Sequence, residues 1–199
     1  MKTEIFYHGS SVLFEKFDLS HALEGDGKVK FGYGVYVTEK YASAAHYAFN
    51  KNRPENDTYY VYTVEIPSIT SDNYLFSCRP VCEEVVHRTE EKLGEPIPEE
   101  VKSAGKLFRK YIGNKLLHRK GTVKQLMSKV DLEAEKAAAV FFDSIGLDFF
   151  VWPQSQANPD GLTNRAVMDE SKVKIIKIER IQLDAKHQLV PGSEEEVKR

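Results

Sequence analysis

The chain has 199 residues, 41% hydrophobic and 29% charged, with a formal net charge of −2. That composition suits one globular domain with a sizeable core, and the near-neutral balance excludes a general attraction to nucleic acid. No apolar run approaches the roughly 18–20 residues that span a bilayer.

In chain order, Glu4 to His8 reads as a buried strand. Residues 11–30 are polar and glycine-rich, with a turn signal at Gly25-Asp26-Gly27. Gly32 and Gly34 precede a β-type run from Val35 to Thr38, and Glu39 to about Asn50 reads as a helix carrying Ala42, Ala44, Ala45 and Ala48. A turn-rich loop with Pro54 follows, then an alternating strand from Tyr59 to Ile66 that stops at Pro67. The segment from about 81 to 130 looks like a helical insertion. Its first part, 81–100, holds seven acidic and two basic residues, whereas 101–130 holds nine Lys/Arg and no acid. Asp131 is a plausible N-cap for the next helix and Gly146 its stop. Leu147 to Trp152 reads as a strand, Pro153 to Thr163 as a polar loop, and Ala166 to Met168 and Val173 to Leu183 as further strands.

Strands at both ends with helices between predict an α+β fold on a mainly antiparallel, split sheet. One domain is expected over 1–190, and the charged tail, 191–199, is expected to fray. Cys78 and Cys82 are the only cysteines. Lacking a second ligand pair at zinc spacing, they suggest neither a metal site nor a disulfide. The opening MKTEIFYHGS has no secretory h-region, so a cytoplasmic location is the simplest expectation, with secretion by a signal-less route left open.

The chemistry concentrates in two short stretches. A glycine pair lets backbone approach a flat ligand closely, two tyrosine faces can sandwich it, and a histidine beside hydroxyl groups can hold a ribose. Gly-x-Gly alone is weak, and a dinucleotide fold of the Rossmann kind is excluded because the glycines precede a strand and no third glycine opens a helix.

His8-Gly9-Ser10, then Phe31, Gly32, Gly34 and Tyr36, then Tyr47 eleven residues further on, resemble the ADP-ribosyltransferase superfamily in its diphtheria-toxin and poly(ADP-ribose) polymerase branch. The resemblance is closest to the small transferase domains of phage and mobile-element polyvalent proteins. It covers residues 4–66 and returns at about 131–180. It implies a transferase core of split-sheet type that cleaves the nicotinamide–ribose bond of NAD and passes ADP-ribose to a macromolecule, with NAD as substrate and no metal. His8 would bond the adenosine ribose, the main chain of Gly9 would pair with the nicotinamide amide, and Ser10 would complete the pocket. Tyr36 and Tyr47 would stack on the nicotinamide. His8, Tyr36 and Asn164 would form the catalytic set.

Two departures stand out. The family often has a serine three residues before its second tyrosine; here that position is Ala44, with Ser43 beside it. Where the polymerase branch has a glutamate, alignment through Met168-Asp169 places Asn164. Asparagine can bond a ribose hydroxyl but carries no full charge, which argues against chain elongation and for transfer of a single ADP-ribose. Glu170 cannot substitute, since six strand residues put it roughly 20 Å away.

In toxin-like relatives the loop before this position selects the acceptor, so Gln154 and Gln156 are candidates for that contact; a solvated loop is the equal alternative. The basic stretch is either a solvated face balanced by the acidic segment or a surface guiding a nucleic-acid or acidic protein acceptor. A bacterial or phage toxin or effector is the implied setting, with room for an antitoxin or immunity partner. NAD hydrolysis and an inactive NAD- or ADP-ribose-binding module are the rival readings.

Overall fold

A computed structural model describes residues 2–22, 29–49, 58–122, 124–125 and 131–198. The Gly25-Asp26-Gly27 turn, the Pro54 loop and Lys129 lie outside them. The architecture is mixed: five α-helices among the described residues and an eight-stranded sheet. The strands are β1 (Thr3–Ser10), β2 (Val35–Thr38), β3 (Tyr59–Pro67), β4 (Tyr74–Phe76), β5 (Phe149–Ser155), β6 (Asn158–Val167), β7 (Lys174–Ile181) and β8 (Glu195–Glu196). The helices are α1 (Tyr41–Ala48), α2 (Glu83–Leu93), α3 (Glu99–Lys102), α4 (Gly105–Leu116) and α5 (Leu132–Ser144). The sheet order is β4-β5-β6-β2-β1-β3-β7-β8, antiparallel throughout except for the β4–β5 pair. No helix is long and apolar enough to cross a membrane among the described residues.

Period-two alternation decides which side chains face which core. On β5, Phe149 and Val151 join one apolar cluster with Phe6, Val37, Tyr62 and Ile178. Phe150 and Trp152 face the opposite side and pack with Phe108, Ile112 and Phe142 of α4 and α5. A third cluster, also on that second side, seats α1 through Ala44, Ala45 and Ala48 on Val61 and Ile181. The second side of the sheet therefore carries two separate apolar cores, one under α1 and one under the helical insertion.

Local signals placed the helix ends. Asp131 caps α5, its side chain accepting from the Ala134 N–H at 3.2 Å. Gly146, at φ +87°, ends it in the left-handed conformation that favours glycine.

Three expectations need correction. Residues 153–163 are not a loop: they are the outer end of a hairpin of β5 and β6, turned by Gln156 and Ala157. The hairpin projects past its neighbours, so both faces meet water and the apolar alternation that marks a strand is missing. Its outer end is held by Arg79, which donates to Asp160 at 2.5 Å and to the Pro159 carbonyl at 3.2 Å.

The tail does not simply fray. Glu195–Glu196 pair with β7, and Arg180 binds Glu195 at 2.5 Å, a charge pairing invisible to local pattern.

For the basic stretch, pairings with the acidic segment fit the balanced-face reading, and it is the free guiding surface that needs correction. Lys102 pairs with Glu90 and Glu99, Lys115 with Glu95, and Arg119 with Asp131 and Glu133. Arg109 and Lys110 are buried.

Candidate functional site

β1 and β3 pair along their whole length, from Thr3↔Pro67 to Ser10↔Tyr60. The other edge of β1 behaves differently, because its registered pairing with β2 is the single contact Tyr7↔Thr38. One residue further on, the imidazole of His8 takes the place of a backbone rung: its Nδ1 lies 2.7 Å from the carbonyl oxygen of Tyr36. The sheet opens at this point, and a side chain bridges the gap.

That bond fixes the chemistry of the ring. A carbonyl only accepts, so Nδ1 carries the hydrogen. Phe14, Phe17 and Tyr62 surround the imidazole, with ring centroids at 6.0, 5.0 and 6.0 Å. Burial among these rings lowers its pKa below the ordinary value, outweighing the bond to the Tyr36 carbonyl, which raises it. His8 is therefore neutral at pH 7 and Nε2 is an acceptor, suited to an O–H donor such as a sugar hydroxyl.

The sign of the pH effect follows. Unfolded, the ring takes up a proton near its ordinary value of about 6.5; folded, it resists until lower pH. Stability contributed by the neutral ring is present above that value and is lost as pH falls toward the lowered folded pKa. Relative to a His8→Gln variant, wild-type unfolding free energy is expected to drop between pH 7 and 5 by up to about 1.4 kcal/mol per pH unit. Urea titrations at several pH values check this, and parallel curves would contradict a buried neutral ring.

Gly9 brings α1 against the opening. A Cβ at this position would lie 1.8 Å from the Ala44 carbonyl oxygen and 2.8 Å from Ala48 N. Only glycine lets helix backbone rest directly on strand backbone here. The contact sets the position of Ser43 and Tyr47, the latter 58% exposed.

The glycine bend before β2 is held from within. The hydroxyl of Tyr36 accepts from the Phe31 N–H at 3.0 Å and donates to the Gly32 carbonyl at 3.0 Å. Phe31 stacks on Trp152, centroids 4.5 Å apart and planes 6° from parallel, and Tyr36 meets the same indole at 5.0 Å. Gly32 has φ +119°, and a Cβ there would lie 2.2 Å from Cδ2 of Phe150. Desolvation pushes the Tyr36 phenol pKa well above its usual range, so it is a neutral hydrogen-bonding group and not a base.

Between the two apolar cores on this side of the sheet runs a polar seam. Thr38 sits across from Tyr7 on β1 and across from Asn164 on β6, and Asn164 sits across from Trp152 on β5. Directly opposed residues share a face, so Thr38, Asn164 and Trp152 point the same way as Tyr36. Gln154 donates to Thr38 Oγ1 at 3.3 Å and to Ser43 Oγ, joining β5 to β2 and α1. Asn164 is 4% exposed, and its Oδ1 has no hydrogen-bond partner. A cavity of about 290 Å³ opens above this seam, lined by Lys40, Ser43, His46, Tyr47, Gln154 and Gln188.

The residues singled out from sequence fall on both faces of the sheet: His8 lies with Phe6 and Tyr62 on the first side, whereas Tyr36, Tyr47 and Asn164 lie on the second. His8 touches Tyr36 through backbone, Gly9 seats the helix that bears Tyr47, and Asn164 lies in the seam beside Thr38. The Ser10 hydroxyl accepts from the Val12 N–H at 3.0 Å. Gly34 lies tight against β6, where a Cβ would meet the Val167 carbonyl oxygen at 2.5 Å. No ring contact joins Tyr36 and Tyr47 among the described residues. Gln154 is a half-buried bridge and Gln156 an exposed turn residue. Glu170 sits in a 3-10 turn, accepting from the Leu19 N–H at 3.2 Å, away from the seam.

Sequence reasoning missed Thr38, Gln154's bridging role and Trp152. A threonine in a β-run and an indole beside a proline carry no local mark of their use. Neither a family model, nor a curated protein, nor a solved structure matches the chain.

Proposed function

We propose that the protein is an NAD-dependent mono-ADP-ribosyltransferase with its substrate held in the opening between β1 and β2. The observation that carries this reading is the polar seam with a buried, unpartnered Asn164 Oδ1 beside an open sheet edge. Folding leaves such an acceptor unsatisfied at a cost of about 1–3 kcal/mol, and a ligand hydroxyl would satisfy it. Tyr47, on the same side as Asn164, supplies an exposed ring able to cover a flat base, and the neutral His8 supplies a second acceptor through Nε2 from the first side of the sheet, across the β1–β2 opening. On this reading the ligand passes through the opening, with one sugar hydroxyl at Asn164, a flat base under Tyr47 and a second sugar reaching His8 from the other side.

In the reaction the C1′–N bond of the nicotinamide riboside breaks and both electrons leave with nicotinamide, which departs neutral. The ribose becomes an oxocarbenium-like cation. Asn164 Oδ1, accepting from a ribose hydroxyl, places a partial negative dipole near that charge. An acceptor nucleophile then forms the new bond to C1′ and gives up its proton. Without a carboxylate at Asn164, nothing in the seam activates a second ribose for chain growth.

Incubation with NAD labelled in its adenosine half, together with cell extract, tests the reading. Nicotinamide release with label retained on macromolecule is expected, and sorting the label among protein, RNA and DNA pools identifies the acceptor. His8→Ala and Tyr36→Ala should each lower nicotinamide release by about 10- to 100-fold, the worth of one or two lost hydrogen bonds. Free ADP-ribose as the sole labelled product would mean NAD hydrolysis instead. A thermal shift with NAD and no nicotinamide release would mean a binding module.

A further inference from the structure

We propose that Arg109 of the helical insertion is a positioning residue that holds the Phe31–Gly32 bend in the geometry the NAD site uses; this rests on the transferase reading above. Arg109 is 2% exposed, and its guanidinium is committed in two directions. Towards α5 it is ion-paired with Glu135, itself 3% exposed: Nη2 donates to Oε1 at 3.3 Å, while Nε stands 2.7 Å from Oε2 without the alignment of a hydrogen bond. Towards the bend, Nη1 donates to the Phe31 carbonyl at 2.6 Å and Nη2 to the Lys30 carbonyl at 3.4 Å.

The backbone of Phe31 is therefore gripped on both sides of its Cα. Its N–H goes to the Tyr36 hydroxyl and its C=O to Arg109. The guanidinium carbon also stands 5.1 Å from the centroid of Phe150, the ring that a Cβ on Gly32 would strike. A buried ion pair is weak evidence for stability, since well-packed apolar residues often replace one without loss. Here the guanidinium does something an apolar pair cannot. It fixes two backbone carbonyls of a glycine bend, 78 and 79 residues away in sequence, and through that bend sets the Phe31–Trp152 stack and the Tyr36 hydroxyl. Glu135 keeps the charge paired and the guanidinium plane aimed.

The test uses the chain's only tryptophan, Trp152, in the Arg109→Met/Glu135→Leu double variant. Both charges are removed together and the apolar volume is kept. Expected, at an unchanged urea midpoint, is a higher acrylamide quenching constant for Trp152, reporting a loosened Phe31 stack without any NAD present. In nicotinamide release, KM for NAD should rise about tenfold with kcat changed far less, a split that general destabilisation does not produce. Should the double variant not fold, Arg109→Lys takes its place. It keeps a charge for Glu135 but cannot reach both carbonyls, and the same rise in quenching is expected. Unaltered quenching in a folded variant overturns the proposal, as does loss of fold in both. Wild-type protein that releases no nicotinamide overturns the transferase reading alone, because the quenching arm still decides the role of Arg109.

Discussion

Asn164→Leu is expected to make the protein more stable and less active. Leucine has the same branching as asparagine and removes an Oδ1 that is buried without a partner. Relief of that desolvation cost should raise the unfolding free energy by about 1 kcal/mol or more. If the transferase proposal holds, nicotinamide release should fall by about 10- to 100-fold, because the proposed acceptor for a ribose hydroxyl is gone. Opposite movement of stability and activity marks a residue kept for function at a cost to folding. Urea unfolding beside a nicotinamide assay measures both. If Asn164→Leu is instead destabilised and keeps its turnover, the asparagine is a structural residue and the seam is no site.

Gly9→Ala should have the largest effect on stability. The added methyl would stand 1.8 Å from the carbonyl oxygen of Ala44, a backbone atom that no side-chain rotation can move. Relief requires α1 to lift from β1, which strips Ala44, Ala45 and Ala48 of their seat on Val61 and Ile181. Overpacking of this kind costs about 3 kcal/mol. A fall in urea midpoint of that order is expected and, if the transferase proposal holds, lost NAD response, since α1 also carries Ser43 and Tyr47. A near-neutral Gly9→Ala would mean that this close contact does not hold α1 on the strand.

Much of the strand and helix pattern was legible because burial imposes a period. The alternation from Tyr59 onward and the alanine run of α1 each declare a buried face. The Asp131 cap and the Gly146 stop were legible because both act through local backbone geometry. The hairpin of β5 and β6 beyond Pro153 was not, since its residues face water on both sides and its pairing partner lies across a turn. The glycines of the site were visible as a pattern, but their reasons differ. Gly9 answers to helix α1 and Gly34 to β6, whereas Gly32 combines a positive φ with the ring of Phe150.

The charged insertion shows the boundary most clearly. Reading residues in order establishes the acid-free run, a near-neutral total and the lack of any apolar run of membrane-spanning length. Local pattern also supplies most of the strands and helices, though not β4 or β8, and the two motif stretches. Only the tertiary structure decided that Arg109 leaves that run to bind Glu135 and the Phe31 carbonyl, and that Thr38, Gln154 and Asn164 meet in one seam. The physical reason is range. Burial period, caps and turns are written within a few residues, but a buried charge or an unpaired acceptor is defined by partners brought together from distant parts of the chain.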